Sequence, residues 1–276
     1  MHTEPAGRIS RLRIVLLLVL LPVLLYLLYE NLPIGQDWYE FFQPAAVALL
    51  HGQSPYAIKN FHNAPWTLLP FIPFALLPYR LGRLGIFVLG FAGFAHVAQS
   101  LKAKPVSMIL FMTSFPVLAC LYGGGLDWLP MLSFVMPAPV ALIFAAMKPQ
   151  IGFGIALFFL FESWQAGGIK QVIRTFLPVS ILLFVSFALY GFWVSTIAGK
   201  WNNPVNISLF PYLLPLGVYL LYTRQKHAAM ASSICFAPYF TFFTLAAPLA
   251  ALLERPRLMF LAWVITWIFP IAKFFF

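Results

Sequence analysis

Charged residues are scarce in this sequence, and acidic residues are the scarcest. Charged side chains make up 9% of the 276 residues, whereas a soluble globular domain carries about 25%. Hydrophobic residues make up 62%, and apolar runs recur almost from end to end. Many of these runs approach the roughly 20 residues that a helix needs to cross a bilayer. Such a chain cannot cover itself with a hydrated surface, so we expect a membrane protein rather than a soluble domain.

The backbone of a lipid-exposed segment must satisfy its own hydrogen bonds, so the expected spans are helices. A transmembrane β-barrel would show short alternating segments instead of continuous apolar runs. The sequence therefore predicts an all-α polytopic membrane protein, a single integral membrane domain over residues 1–276 with about nine or ten transmembrane helices. The runs at 66–78 and 128–147 are both expected to cross the membrane.

Basic residues fix the expected orientation. Arg8, Arg11 and Arg13 precede the first apolar run, and basic flanks stay in the cytoplasm. We therefore expect residues 1–13 to form a cytoplasmic tail and residues 30–64 to form an external interfacial loop. Simple alternation then returns Arg80 and Arg83 to the cytoplasmic side.

Cysteine and acidic residues are too few to support several kinds of site. The two cysteines lie within apolar runs, which favours buried thiols over a disulfide or a metal site. The net charge of +10 comes from basic residues scattered singly or in pairs. Because no basic stripe is present, we do not expect a nucleic-acid partner.

The one long interval rich in polar residues lies between the first two apolar runs. It holds Asp37, which is one of two aspartates in the protein, together with His51 and His62. Apolar residues at helical spacing predict a helix over 37–50, interrupted by Pro44 and stopped at Gly52. The sequence thus predicts a compact helical loop at one face of the membrane.

Asp37 and Glu40 are three residues apart, so on a helix they share a face. A carboxylate there could act as a general base toward a hydroxyl or help to hold a divalent cation. Alternatively, Asp37 merely caps the helix that follows it. The spacing alone leaves both interpretations open, and it leaves open whether a divalent cation takes part.

The cationic and imidazole side chains are the candidate phosphate ligands. His51, Lys59 and His62 could bind phosphate through charge-assisted hydrogen bonds or reach lipid headgroups. Lys148 is isolated between two long apolar runs and is followed by Pro149 and Gln150. A lysine so placed needs an anionic partner or a hydrated cavity. Asp127 is either that partner or the polar boundary of the next span.

Three motifs in this order resemble a known superfamily. In the first motif, Asp37 is followed by an aromatic-rich segment and QPAAVALLHGQSPY. In the second, residues 63–66 read NAPW and lead into a Pro-rich stretch. The third is Lys148-Pro149-Gln150, which follows a long apolar run. Together they resemble polyprenyl-phosphate-dependent glycosyltransferases of the GT-C superfamily, in particular a shortened form of the bacterial glycosyltransferase 87 (alpha-mannosyltransferase-like) group. The resemblance covers roughly the first 160 residues, and the rest of the chain matches only as hydrophobic spans.

The resemblance implies an integral protein of the bacterial cytoplasmic membrane that transfers a sugar, by analogy mannose, from a polyprenyl-phosphate donor at the external face. Asp37 would be the catalytic base, and Lys148 with Gln150 would contact the donor phosphate. Tyr56, Asn63 and Trp66 would shape the loop around the sugar.

Two other classes of function stay open. One is a non-catalytic subunit of a membrane protein complex that keeps the GT-C fold. The other is a transporter of a lipid or small solute, for which the Pro-interrupted spans are the sole support. Flux through such a transporter would depend on intramembrane polar groups such as His96 and Lys148.

Overall fold

The computed structural model describes residues 6–198 and 203–275, and every regular element within these ranges is helical. A π-helix spans Trp38–Phe42, and 3₁₀-helices span Pro55–Ala57, Pro65–Phe71, Leu132–Phe134 and Phe242–Leu245. The α-helices are α1 (Ala6–Asn31), α2 (Gln43–Leu50), α3 (Ile72–Ala75), α4 (Tyr79–Ser100), α5 (Pro105–Met112), α6 (Phe115–Gly123), α7 (Trp128–Met131), α8 (Ala138–Ala145), α9 (Pro149–Tyr190), α10 (Ser195–Ala198), α11 (Leu214–Tyr222), α12 (Lys226–Phe236), α13 (Ala246–Ala250) and α14 (Pro256–Phe275).

Fewer helices qualify as membrane spans than the sequence predicts. Within the described residues, α4 and α9 are long and apolar enough to cross a membrane. The pair α5 and α6 is bent by 47° at a short break and makes a third candidate if it is one span. The all-α prediction is confirmed, whereas the predicted nine or ten crossings reduce to two or three candidate spans.

The helix α9 contains a sharp turn at two adjacent glycines. Gly167 and Gly168 have non-helical backbone angles, and φ of Gly168 is +61°. Ser163 Oγ donates a hydrogen bond of 3.0 Å to Thr175 Oγ1, although residues 12 apart lie about 18 Å apart along a continuous helix. The chain therefore reverses here, and residues 149–166 and 169–190 run as antiparallel arms.

The predicted second span at 66–78 is wrong. The segment forms the 3₁₀-helix Pro65–Phe71 and the short helix α3 instead of one long helix. Pro70 and Pro73 lack backbone N–H groups and disfavour the α-conformation in the residue before them, which breaks a continuous helix. The chain consequently enters α4 without having crossed.

Contacts at the start of α4 confirm that the chain has stayed at one end of the molecule. Arg80 forms an exposed ion pair of 3.4 Å with Glu30 at the end of α1. Arg83 Nε donates to the carbonyl of Pro33 at 3.2 Å. The expected placement of both arginines at the opposite face from the 30–64 loop is therefore wrong. We call this end, which holds residues 30–37, 121–127 and 147–149, the polar end.

The run 128–147 does not cross either. It begins after Asp127 and ends before Lys148, whose side chains are 2.8 Å apart. The segment between them consists of α7, a 3₁₀-turn and α8, with prolines at 130 and 137. It enters the protein and returns to the polar end, because two residues in contact cannot lie on opposite faces.

Close backbone packing positions α12 against the first arm of α9. Ser233 Oγ donates to the carbonyl of Ile151 at 2.7 Å and accepts from Gly154 N at 2.9 Å. A Cβ on Gly154 would lie 2.2 Å from the carbonyl oxygen of Ala229, so only glycine allows this approach. The segment after α12 is thereby brought to the polar end beside the start of α9.

Candidate functional site

A cavity of about 630 Å³ opens at the polar end. It receives side chains from several parts of the chain that are distant in sequence. Seven of the residues predicted as site residues line it together: Asp37, Glu40, His62, Asn63, Asp127, Lys148 and Gln150. The structure therefore brings the acidic loop, the 123–127 link and the Lys148 motif to a single cavity.

Asp37 is half-buried at the edge of this cavity and does not cap a helix. Its backbone is already helical, and its side chain makes no capping hydrogen bond to the π-helix that follows. Burial raises the pKa of the Asp37 carboxyl to about 6, with the charges of Asp127 and Glu40 acting in the same direction and that of Lys148 opposing them. A carboxyl of this pKa is ionised at neutral pH and is a stronger base than an ordinary aspartate.

The link between α6 and α7 packs directly behind Asp37. A Cβ on Gly125 would lie 3.3 Å from Asp37 Oδ2 and 3.0 Å from Cys120 Sγ. Gly124 adopts φ +72°, and a Cβ there would lie 2.6 Å from the Cβ of Trp38. Gly124 and Gly125 thus allow the link to approach the π-helix closely enough to place Asp127 beside Asp37.

Asp127 and Lys148 form a bidentate ion pair within the cavity wall. Lys148 Nζ donates to both Asp127 oxygens at 2.8 Å, and the hydroxyl of Thr244 donates to Asp127 Oδ1 at 3.3 Å. Burial lowers the pKa of the Lys148 ammonium, but Asp127 outweighs that effect and the net shift is upward. Asp127 is therefore the anionic partner of Lys148, and the pair presents an ammonium held at a fixed position.

The loop that lines the cavity is anchored by side-chain hydrogen bonds to backbone carbonyls. Asn63 Nδ2 donates to Met147 O at 3.1 Å, and Trp66 Nε1 donates to Ile143 O at 3.1 Å. The Tyr56 hydroxyl donates to Asn63 O at 2.9 Å, and its ring stacks on Trp193 with centroids 5.7 Å apart. These bonds fix the loop to the end of α8, immediately before Lys148.

Four of the predicted site residues do not line the cavity. His51 and Lys59 are exposed on the outer side of the loop, and the His51 ring bonds to the Val47 carbonyl at the end of α2. Tyr56 and Trp66 point into the packing between the loop and the helices. The direction of the loop, which the sequence pattern does not determine, separates these four from the cavity.

Several cavity residues come from the C-terminal half, in which the sequence pattern identified no candidate site residue. Asn203, Tyr239 and Thr241 line the cavity. Asn206 joins the two segments concerned, because its amide donates to Pro238 O at 3.1 Å and its Oδ1 accepts from Phe240 N at 3.2 Å. The available signal was the clustering of polar residues in the WNNPVN and PYFT segments between apolar runs.

No metal-ligand cluster occurs in the described part of the chain, where no three His, Cys, Asp or Glu side chains converge. The acids lining the cavity are Asp37, Glu40 and Asp127, and the Lys148 ammonium already occupies both oxygens of Asp127. The arrangement can accept a proton at Asp37, and it presents the ammonium of Lys148 to the cavity.

Comparison of the chain with models of protein families, with curated proteins and with solved structures yields no match. The cavity itself is therefore the basis for assigning a function.

Proposed function

We propose that this protein is a membrane glycosyltransferase of the GT-C type that transfers a sugar from a polyprenyl-phosphate donor to a hydroxyl acceptor. The observation that carries the proposal is that the Asp37 carboxyl and the Lys148–Asp127 pair open into one cavity. A base and a cation at one site are the two groups that this reaction requires. The resemblance of the Asp37, NAPW and Lys148-Pro149-Gln150 motifs to this superfamily adds to the argument.

The reaction assigns a separate role to each group. The acceptor oxygen forms a bond to the anomeric carbon of the sugar while the bond from that carbon to the donor phosphate oxygen breaks. Asp37 takes the proton that the acceptor hydroxyl loses, and polyprenyl phosphate leaves with the bonding electrons. Lys148 has three N–H donors, of which two are directed to Asp127, so one remains to stabilise the departing phosphate.

The composition of the cavity wall suits an amphiphilic donor. The wall also contains an aromatic part, which includes Phe115, Phe242 and Phe243, and Pro270 of α14 lines the same cavity. The outward sides of α9 and α14 are apolar, with exposed residues such as Phe184 and Ile265. Exposed apolar surface of this extent fits a lipid environment, in which the polyprenyl tail stays while the sugar reaches the cavity.

This function sets the orientation of the chain. The polar end faces the external side of a bacterial cytoplasmic membrane, and the N-terminus lies in the cytoplasm. The further crossings are assigned to the two arms of α9, which the turn at Gly167 and Gly168 separates, and to the apolar helix α14.

Replacement of Asp37 tests the proposal. In proteoliposomes supplied with a polyprenyl-phosphate sugar, Asp37→Asn is expected to reduce the rate of sugar transfer at least about a hundredfold. That factor is the lower end of the rate loss expected when a general base is removed. Glu254→Gln is the matched control, because Glu254 is an exposed carboxylate outside the cavity. Its neighbour Leu253 accepts a hydrogen bond from the backbone N–H of Lys104, which lies at the opposite end of the molecule. Unchanged transfer by Asp37→Asn would reject Asp37 as the base.

Absence of transfer in the wild-type protein with every polyprenyl-phosphate sugar tested would reject the enzymatic proposal. Purification of the protein in a stoichiometric membrane complex would then favour the non-catalytic subunit.

A further inference from the structure

A second cavity, of about 410 Å³, lies at the polar end. It separates the end of α1 from the start of α4. Its polar lining consists of two arginines, one glutamate and three tyrosines: Tyr29, Glu30, Tyr39, Tyr79, Arg80 and Arg83. None of these residues belongs to the cavity that holds Asp37.

Arg83 is the central feature of this second cavity. Its side chain is 2% exposed, and it donates to three backbone carbonyls, those of Pro33, Leu121 and Tyr122. Its Nη1 has no hydrogen-bond acceptor among the described residues, and Arg83 forms no ion pair with any of them. A buried guanidinium normally has an anionic partner, because an uncompensated buried charge is costly.

The first turn of α4 adds backbone N–H groups as further hydrogen-bond donors. The helix begins after Pro78, which supplies no side-chain cap, so its first backbone N–H groups are available to an anion. Arg80 lies over the ring of Tyr29 at 5.8 Å and contacts Glu30 at 3.4 Å. Two arginines against one glutamate leave the cavity with one unbalanced positive charge.

We propose that this cavity binds the phosphate of an anionic phospholipid, with Arg80 and Arg83 as its ligands. A phosphodiester headgroup carries one negative charge, which matches the unbalanced charge of the cavity. Guanidinium groups bind phosphate oxygens through paired, charge-assisted hydrogen bonds. Apolar residues continue from the cavity along α1 and α4, where Leu27 and Leu81 are exposed and offer a path for acyl chains.

The test uses the purified full-length chain in a neutral maltoside detergent. Phosphatidylglycerol, phosphatidylcholine with the same acyl chains, and inorganic phosphate are each titrated, with the thermal midpoint followed by tryptophan fluorescence. Only the anionic lipid is expected to raise the midpoint saturably, because a ligand that binds the folded state alone stabilises it. Native mass spectrometry should show one tightly retained phosphatidylglycerol.

Arg80→Gln avoids the folding defect expected for Arg83, whose side chain bonds to three carbonyls. This variant should raise the lipid concentration that gives half of the full increase in thermal midpoint about tenfold. The reason is that it loses one charge-assisted hydrogen bond to the phosphate. Glu30→Gln removes the competing carboxylate and should lower that concentration. Arg174→Gln alters an exposed arginine of α9 outside this cavity and should change nothing.

Three outcomes would overturn the proposal. The first is equal stabilisation by phosphatidylcholine, and the second is equal loss of affinity in Arg80→Gln and Arg174→Gln. The third is stabilisation by inorganic phosphate as large as that by phosphatidylglycerol, which would reject the lipid as the source of the phosphate.

Discussion

Replacement of Asp37 by asparagine is expected to stabilise the folded protein at neutral pH while removing activity. In the unfolded chain the carboxyl has its ordinary pKa of 3.8, but burial raises its pKa in the folded protein to about 6. Below the lower value the carboxyl is protonated in both states, so ionisation has no effect on stability. As pH rises between the two values, the unfolded state ionises first and the folded state loses stability.

The size of this effect follows from the shift. One pKa unit corresponds to about 1.4 kcal/mol, so the full shift corresponds to about 3 kcal/mol above pH 6. Asp37 is half-buried and faces a cavity open to solvent, which reduces the penalty through screening. We therefore expect Asp37→Asn to increase the free energy of unfolding by about 1–3 kcal/mol at pH 8 and by close to zero at pH 4.

The assay is reversible denaturation in mixed micelles at several pH values, with Glu40→Gln as the control. Glu40 lines the same cavity but is exposed, so its replacement should change stability by less than about 0.5 kcal/mol at any pH. Loss of stability in Asp37→Asn at pH 8, or a gain of the same size at pH 4 and pH 8, would refute the reasoning. Either result would mean that the folded protein does not disfavour the ionised carboxyl.

Two further predictions concern the groups that hold the cavity together. Lys148→Met should lower the free energy of unfolding by about 3–5 kcal/mol, because it leaves the buried Asp127 carboxylate without its cation. Adding Asp127→Asn should recover much of that loss in denaturation measurements. Additive losses in the double variant would contradict the ion pair. Gly124→Ala should destabilise the protein by at least about 2 kcal/mol more than Gly52→Ala, because both glycines have positive φ but only Gly124 lacks space for a Cβ. Equal effects of the two alanines on the free energy of unfolding would show that the close approach at Gly124 is not required.

Local pattern in the sequence was enough to predict the helical loop after the first apolar run. Apolar spacing and Gly52 predicted a helix over 37–50, and the structure has the π-helix Trp38–Phe42 followed directly by α2, ending at Leu50. An isolated lysine between apolar runs predicted either an anionic partner or a hydrated cavity for Lys148, and in the structure Lys148 pairs with Asp127 and also lines the cavity. Both predictions depend on interactions over short distances or on the high cost of an unpaired charge.

The path of the chain could not be predicted in the same way. Apolar length predicted crossings at 66–78 and 128–147, but prolines interrupt both segments and the Asp127–Lys148 pair closes the second one. Hydropathy measures whether a segment tolerates lipid, not whether it returns to its starting face. The cavity residues Asn203 and Tyr239 were missed because only tertiary packing brings them beside Asp37.

The most direct test of Asp37 as a general base is the pH dependence of sugar transfer. With wild-type protein in proteoliposomes, kcat/KM should rise about tenfold per pH unit at low pH and reach a plateau above the Asp37 pKa of about 6. Asp127→Asn should move the inflection to lower pH, because the Asp127 charge raises the pKa of Asp37 while that of Lys148 lowers it. A rate that stays constant from about pH 5 to pH 8 would contradict a titrating carboxyl as the base.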